Sequence, residues 1–130
     1  MEKKNIDKLL ELPLAVLIAR ADKVRERFAG RGVELCSILN AKSGLCPEDC
    51  KFCAQSARHK ANSPVYPLKT KAQMLEAARR AKEMGADRFD IVTSGDKLSK
   101  NEFGVIIEAI GEITEKVKIK MCASLGSMGD

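Results

Sequence analysis

The sequence has no tryptophan, one tyrosine and four phenylalanines, so aromatic residues make up only 4% of it. That is too few for the stacking platform on which single-stranded nucleic acid is bound. The net charge of +5 is modest, and its basic residues are spread along helical faces rather than gathered in a patch. There is one histidine, His59. Metal ligation by histidine normally draws on partners nearby, so His59 is read as a surface-loop residue. No apolar run is long enough to span a membrane. The run from Leu12 to Ala19 is short, holds Pro13 and follows Glu2, Asp7 and Glu11, which does not make a secretory leader. Five cysteines are an odd number for a disulfide framework. These absences point to a soluble protein of the cytoplasm, where thiols stay reduced, with no membrane and no nucleic-acid partner.

What is present fits one domain or part of one. The chain has 130 residues, 45% of them hydrophobic and 32% charged, and at this length a buried core is feasible. Leu14, Leu17, Ile18, Ala21, Val24 and Phe28 recur at helical spacing, with Arg20, Lys23, Arg25 and Arg27 mostly opposite. Residues 1–32 therefore read as a helical lead packed on the outside of the fold, closed by Gly30 and Gly32. Residues 33–130 read as strands alternating with helices. Val33–Asn40, Arg88–Ser94 and Lys118–Leu125 are the expected strands, and Ala54–Arg58 is expected to start a short helix. Thr70-x-x-Gln73 and Ser99-x-x-Glu102 are capping boxes that open two longer helices. Met74, Leu75, Ala77, Ala78, Ala81 and Met84 fill the buried side of the first, and Gly85 stops it. Phe103, Ile106, Ile107, Ile110 and Ile113 line the second. Alternation of this kind implies an α/β fold with a parallel sheet.

Side chains alternate across a strand. One face then carries Leu35, Ser37 and Leu39, Phe89, Ile91 and Thr93, and Ile119, Met121, Ala123 and Leu125. It is mostly apolar and should meet the helices. The other carries Cys36, Ile38, Asn40 and, if the strand extends, Lys42, with Arg88, Asp90, Val92 and Ser94, and Lys118, Lys120, Cys122 and Ser124. Parallel sheets are rarely left open to water on one face. A polar inner face holding two cysteines therefore implies a lumen lined for ligands, unless that face is simply solvated.

The chemistry gathers in Cys46-Pro47-Glu48-Asp49-Cys50-Lys51-Phe52-Cys53, three cysteines at C-x3-C-x2-C spacing in one short stretch. Soft thiolates select iron–sulfur clusters, zinc or copper(I). Structural zinc takes four ligands, usually as two separated pairs, and no C-x2-C partner follows here. A four-iron cluster held by three cysteines would keep one iron open for a substrate. A zinc knuckle and free buried thiols remain the alternatives at this point.

C-x3-C-x2-C with an aromatic residue before the last cysteine resembles the radical S-adenosylmethionine (SAM) enzymes. The wider run Ile38-Leu39-Asn40-Ala41-Lys42-Ser43-Gly44-Leu45-Cys46-Pro47-Glu48-Asp49-Cys50-Lys51-Phe52-Cys53-Ala54-Gln55-Ser56 resembles the biotin synthase family in particular. The resemblance covers roughly residues 13 to 130 and implies the N-terminal part of a (β/α)8 barrel of the TIM type. It implies that Cys46, Cys50 and Cys53 hold a [4Fe–4S] cluster whose open iron binds SAM. Cleavage of SAM to methionine and a 5′-deoxyadenosyl radical would then draw hydrogens from dethiobiotin, with an auxiliary iron–sulfur cluster as sulfur source. Phe52 would pack near the SAM adenine, Thr93, Ser94 and Gly95 would hold its methionine portion, and Lys42 would line the dethiobiotin pocket. The resemblance also implies an electron donor of the flavodoxin or ferredoxin type, and a homodimer for the full-length enzyme.

The sequence departs from the family's pattern at the auxiliary cluster. Cys122 matches one of its cysteine ligands, but Asp90 stands where another is expected, and Cys36 is gained on the inner face of the first strand. A re-ligated cluster on Cys36 and Cys122 is the expectation, its type left open. Cys36 as a small buried thiol is the alternative. A whole barrel runs to about 250 residues, so a chain with three strands reads as the N-terminal portion of a longer enzyme, inactive alone in biotin formation. Two other functions compete: a radical SAM enzyme with a different substrate, which Asp90 leaves open, and a non-catalytic iron–sulfur or zinc-binding module.

Overall fold

The computed structural model describes residues 3–127. The chain divides after Val33 into two compact units.

The first unit holds α1 (Lys3–Leu10) and α2 (Leu14–Ala29). Pro13 sits immediately before α2, where a missing N–H costs nothing. Gly30, at φ 69°, ends that helix in a conformation that suits a residue without Cβ. The sequence shows one amphipathic helix here, whereas the structure has a separate α1 before Pro13. No side chain of α2 is buried among the described residues.

The second unit is a three-stranded parallel sheet in the order β1 (Cys36–Lys42), β2 (Arg88–Thr93), β3 (Lys120–Ser124). Helix α3 (Lys71–Glu83) joins β1 to β2, and α4 (Lys100–Lys116) joins β2 to β3. The α/β expectation therefore holds. The strands are shorter or shifted at their ends: β1 begins three residues later than Val33 and runs on to Lys42, and β3 spans only Lys120–Ser124.

Both capping boxes form. Thr70 accepts from the Gln73 amide and Ser99 from the Glu102 amide, with Gln73 and Glu102 reaching back to the cap amides. Each satisfies helix-end donors that would otherwise lack partners. Met74, Leu75, Ala78 and Ala81 of α3 and Ile106, Ala109 and Ile113 of α4 are buried against Phe89 and Ile91 of β2 in one core. Three helix expectations change. Met84 caps the end of α3 and is 76% exposed, and Phe103 and Ile107 of α4 are also exposed while the small Ala109 takes a buried place.

The pairing register bears out the two-faced reading of the sheet. Ser37, Phe89 and Met121 form one row and Leu39, Ile91 and Ala123 the next. On the other face Cys36, Arg88 and Lys120 align, then Ile38, Asp90 and Cys122. One part of the pattern fails at the end of β1. The register shifts between Asn40 and Lys42, so Lys42 pairs with Thr93. Ala41 is the extra residue of a bulge and is fully buried. Lys42 therefore leaves the inner face on which simple alternation puts it.

Candidate functional site

The site lies beyond the C-terminal ends of the three strands, where ligands bind in open α/β sheets. After β1 the chain turns through Ser43 and Gly44 into the cysteine loop. Ser43 and Tyr66 exchange backbone hydrogen bonds of 3.1 Å each way, closing that excursion at its base. The Tyr66 hydroxyl donates to the Asn40 carbonyl at 2.9 Å, and the Lys69 amide to that of Ala41 at 2.8 Å. After β2, the Ser94 amide donates to the Lys42 carbonyl at 2.9 Å and its hydroxyl to the Gly44 carbonyl at 2.8 Å. After β3, the Ser127 amide and hydroxyl reach Asp96 at 2.6 and 2.9 Å. Three strand ends are thus tied together by backbone contacts. Gly126 permits the last of these, because a Cβ there would lie 2.2 Å from the Asp96 carbonyl oxygen.

Between the loop and the β2 turn opens a cleft of about 650 Å³, bordered by Lys42, Gly44, Pro47, Ser94 and Gly95 among others. Ser94 and Gly95 line it. Thr93 does not: it is buried, and its hydroxyl has no hydrogen-bond partner among the described residues. Phe52 is 97% exposed among the described residues.

The cysteine loop is built from turns. Cys46 bridges to Ser56, with Cys46 N–H to the Gln55 carbonyl at 3.0 Å and Ala57 N–H to the Cys46 carbonyl at 2.8 Å. The short helix expected over Ala54–Arg58 is absent, since this bridge and the turns around it use the backbone groups a helix would need. All three thiols are free, with Cys50 exposed and Cys46 and Cys53 half-buried. No set of three or more Cys, His, Asp or Glu side chains converges on a metal position among the described residues. The donor set nevertheless suits a cluster: three soft ligands in one loop, none spent in a disulfide. His59, read as a surface residue, is half-buried, with Nε2 3.0 Å from the Cys50 carbonyl oxygen and 3.3 Å from Asp49 Oδ1.

Lys42 borders the cleft, and its ammonium lies 2.7 Å from the Glu102 carboxylate in α4. The Lys42 ammonium first, and then the Ser99 backbone amide, hold the Glu102 carboxyl down at about 2. This partner could not be found from the sequence, which shows Glu102 only as a capping residue. A carboxyl depressed on folding stabilises the fold above its unfolded pKa of about 4.3 and loses that contribution as pH falls toward 2. Glu102→Ala is expected to cost about 1–2 kcal/mol at neutral pH, from the lost cap and the unpaired Lys42. The variant should also show a shallower loss of stability between pH 5 and pH 2 (bounds set, roughly, by the two pKa values). Urea melts across that range check both.

The inner face carries Cys36 and Cys122 on outer strands, offset by two residues. Strand spacing and rise put their Cα atoms roughly 12 Å apart, with Arg88 and Asp90 of β2 between them. Arg88 donates to the Cys122 sulfur at 3.4 Å and to Glu34 at 3.2 Å. Glu34 also accepts from Lys120, and these two cations, Lys120 first, lower its carboxyl pKa. One oxygen of Asp90 is buried without a hydrogen-bond partner among the described residues. The two thiols share a face, as the alternation implies, but are not in contact.

The family profile described as the Radical SAM superfamily matches residues 42–128. A biotin synthase of Thermodesulfovibrio yellowstonii is 53% identical over 110 residues, covering 85% of this chain and 34% of that protein. One from Pelotomaculum thermopropionicum is 46% identical over 123 residues, covering 95% of this chain and 37% of the relative. One from Persephonella marina is 40% identical over 133 residues, covering 100% and 40%. The chain thus spans between 34% and 40% of the length of these relatives.

Proposed function

The chain belongs to the Radical SAM superfamily, and from that premise we propose that it carries the cluster- and SAM-binding part of a biotin synthase, the enzyme that converts dethiobiotin to biotin. The observation that carries this reading is the loop of three free thiols beside a 650 Å³ cleft at the strand ends. Cys46, Cys50 and Cys53 would hold a [4Fe–4S] cluster, which when bound supplies the open iron and the electron for reductive cleavage of SAM. Ser94 and Gly95, with Thr93 behind them, would hold the methionine portion of SAM, and Phe52 would cover its adenine. Lys42, which borders the cleft with its ammonium on Glu102, is the residue we assign to the edge of the dethiobiotin pocket. Cys36 and Cys122 would serve an auxiliary iron–sulfur cluster. The similarity to biotin synthases from several organisms supports dethiobiotin as the substrate.

Finer points belong to the same proposal. They are an electron donor of the flavodoxin or ferredoxin type, a homodimer for the full-length enzyme, and work in the cytoplasm. Among the described residues no helix is long and apolar enough to cross a membrane. The lead of residues 1–32, followed by the barrel portion 33–130, is the domain reading we retain.

Anaerobic reconstitution with iron and sulfide, followed by SAM and dithionite, tests the proposal. The expected result is a four-iron cluster on the loop and formation of 5′-deoxyadenosine. Uptake of zinc alone, with no SAM cleavage, would instead mark a non-catalytic binding module. Cys36→Ala and Cys122→Ala should each lose the iron and sulfide bound beyond those first four irons. Full retention in both variants would remove the auxiliary site from this face.

A further inference from the structure

One set of contacts around the cysteine loop has no role in the reading above. Four side chains from the segment just after Cys53 turn back on the loop and its entry, and three of them reach backbone carbonyls of residues 47–50. Gln55 Oε1 accepts from the Gly44 amide at 2.6 Å and from the Ser43 hydroxyl at 2.9 Å. The Ser56 hydroxyl donates to the Glu48 carbonyl at 2.5 Å and accepts from the Arg58 amide at 3.1 Å. Arg58 Nε donates to the Pro47 carbonyl at 2.9 Å. His59 Nε2 lies 3.0 Å from the Cys50 carbonyl oxygen.

A loop with no helix or strand of its own must find partners for its backbone polar groups, and water is the default. Here the carbonyls of residues 47, 48 and 50 are taken by side chains, and the Ser56 hydroxyl, which joins the Glu48 carbonyl to the Arg58 amide, belongs to a residue only 5% exposed. The bonds hold the stretch between the first and second cysteines while touching none of the thiols.

We propose that Gln55, Ser56, Arg58 and His59 form a clamp that presets the cysteine loop for its cluster. They are positioning residues, Ser56, Arg58 and His59 acting through backbone carbonyls of the loop and Gln55 through the Gly44 amide and Ser43 hydroxyl at its entry, and the proposal rests on the cluster reading given above. Holding ligands in place before the metal arrives lowers the ordering cost of binding, as outer partners of ligands do elsewhere.

The test is retention of the cluster, not turnover. The reconstituted chain and its Ser56→Ala, Arg58→Ala and Arg58→Lys variants are exposed anaerobically to an iron chelator, and the decay of cluster absorbance is followed. Ser56→Ala and Arg58→Ala should lose the cluster about 10- to 100-fold faster than the parent. Arg58→Lys, which keeps a donor that can reach the Pro47 carbonyl, should recover much of the difference. Thermal melting of the metal-free forms separates this from general destabilisation, and the melting midpoints should stay close to the parent's. Equal decay rates would overturn the clamp, as would decay that follows loss of fold stability or an Arg58→Lys variant no better than Arg58→Ala. A parent chain that takes up no iron would sink the cluster reading itself, and the clamp with it. A parent that loads, with variants that hold the cluster equally well, sinks only the clamp.

Discussion

Replacing any one of Cys46, Cys50 or Cys53 with alanine should leave the reconstituted chain without a stable [4Fe–4S] cluster and without SAM cleavage. Three ligands are the minimum that leaves one iron open, so removing one does not give a weaker version of the same site. It leaves two thiols to hold the cluster and a second iron exposed to solvent and chelators. The loss of SAM cleavage should exceed the ~10- to 100-fold that removal of an outer partner costs. Iron and sulfide content together with 5′-deoxyadenosine yield measure it. The structure gives a reason to expect little change in the fold. The thiols make no contact that holds the loop closed, because its closure runs through backbone bonds at Cys46, Ser56 and Ala57 and through the Ser43–Tyr66 bridge. A cysteine variant that keeps four irons and cleaves SAM would place the cluster elsewhere.

Gly44→Ala should be nearly as damaging, by a different route. Gly44 sits at φ 79°, and a Cβ there would lie 2.6 Å from Val65 Cγ2. The left-handed backbone alone costs a residue with Cβ about 1–2 kcal/mol. The clash cannot be relieved by rotating a long side chain, because valine is stiff about χ1 and Val65 adjoins the Tyr66 bridge. The same glycine donates its amide to Gln55 and accepts from Ser94 through its carbonyl, so any shift moves the entry to the cysteine loop and the edge of the cleft. We expect a destabilisation of about 2–4 kcal/mol and a loop that loads iron poorly. Gly44→Ala with Val65→Ala should recover the steric part but not the backbone part. Urea melts and iron uptake of the single and double variants distinguish the two. A single variant that melts and loads like the parent would show that the turn has room the structure does not contain.

The features legible in the sequence are those written in neighbouring residues. Thr70-x-x-Gln73 and Ser99-x-x-Glu102 each specify a helix start within four positions, and both form. The period of two along β2 put Phe89 and Ile91 in the core and Asp90 opposite, as observed. The cysteine spacing named the chemistry because ligand type and separation are local. What was not legible depends on distant pairing. The bulge at Ala41 arises from the register against β2, and it sends Lys42 to Glu102, sixty residues away. Small alanine carries no mark of it. Ala54–Arg58 reads as the start of a short helix and His59 as a surface residue, and only the fold of the cysteine stretch around them gives Ser56, Arg58 and His59 carbonyls to hold.

The central claim is that the loop from Cys46 to Cys53 holds a four-iron cluster with one iron open to SAM. Electron paramagnetic resonance of the reconstituted, dithionite-reduced chain tests it most directly, recorded with and without SAM. The account predicts the signal of a reduced [4Fe–4S] cluster whose g-values move on adding SAM, and its loss in Cys50→Ala. A cluster signal that SAM leaves unchanged, or a chain that takes up zinc and gives no signal at all, would contradict it.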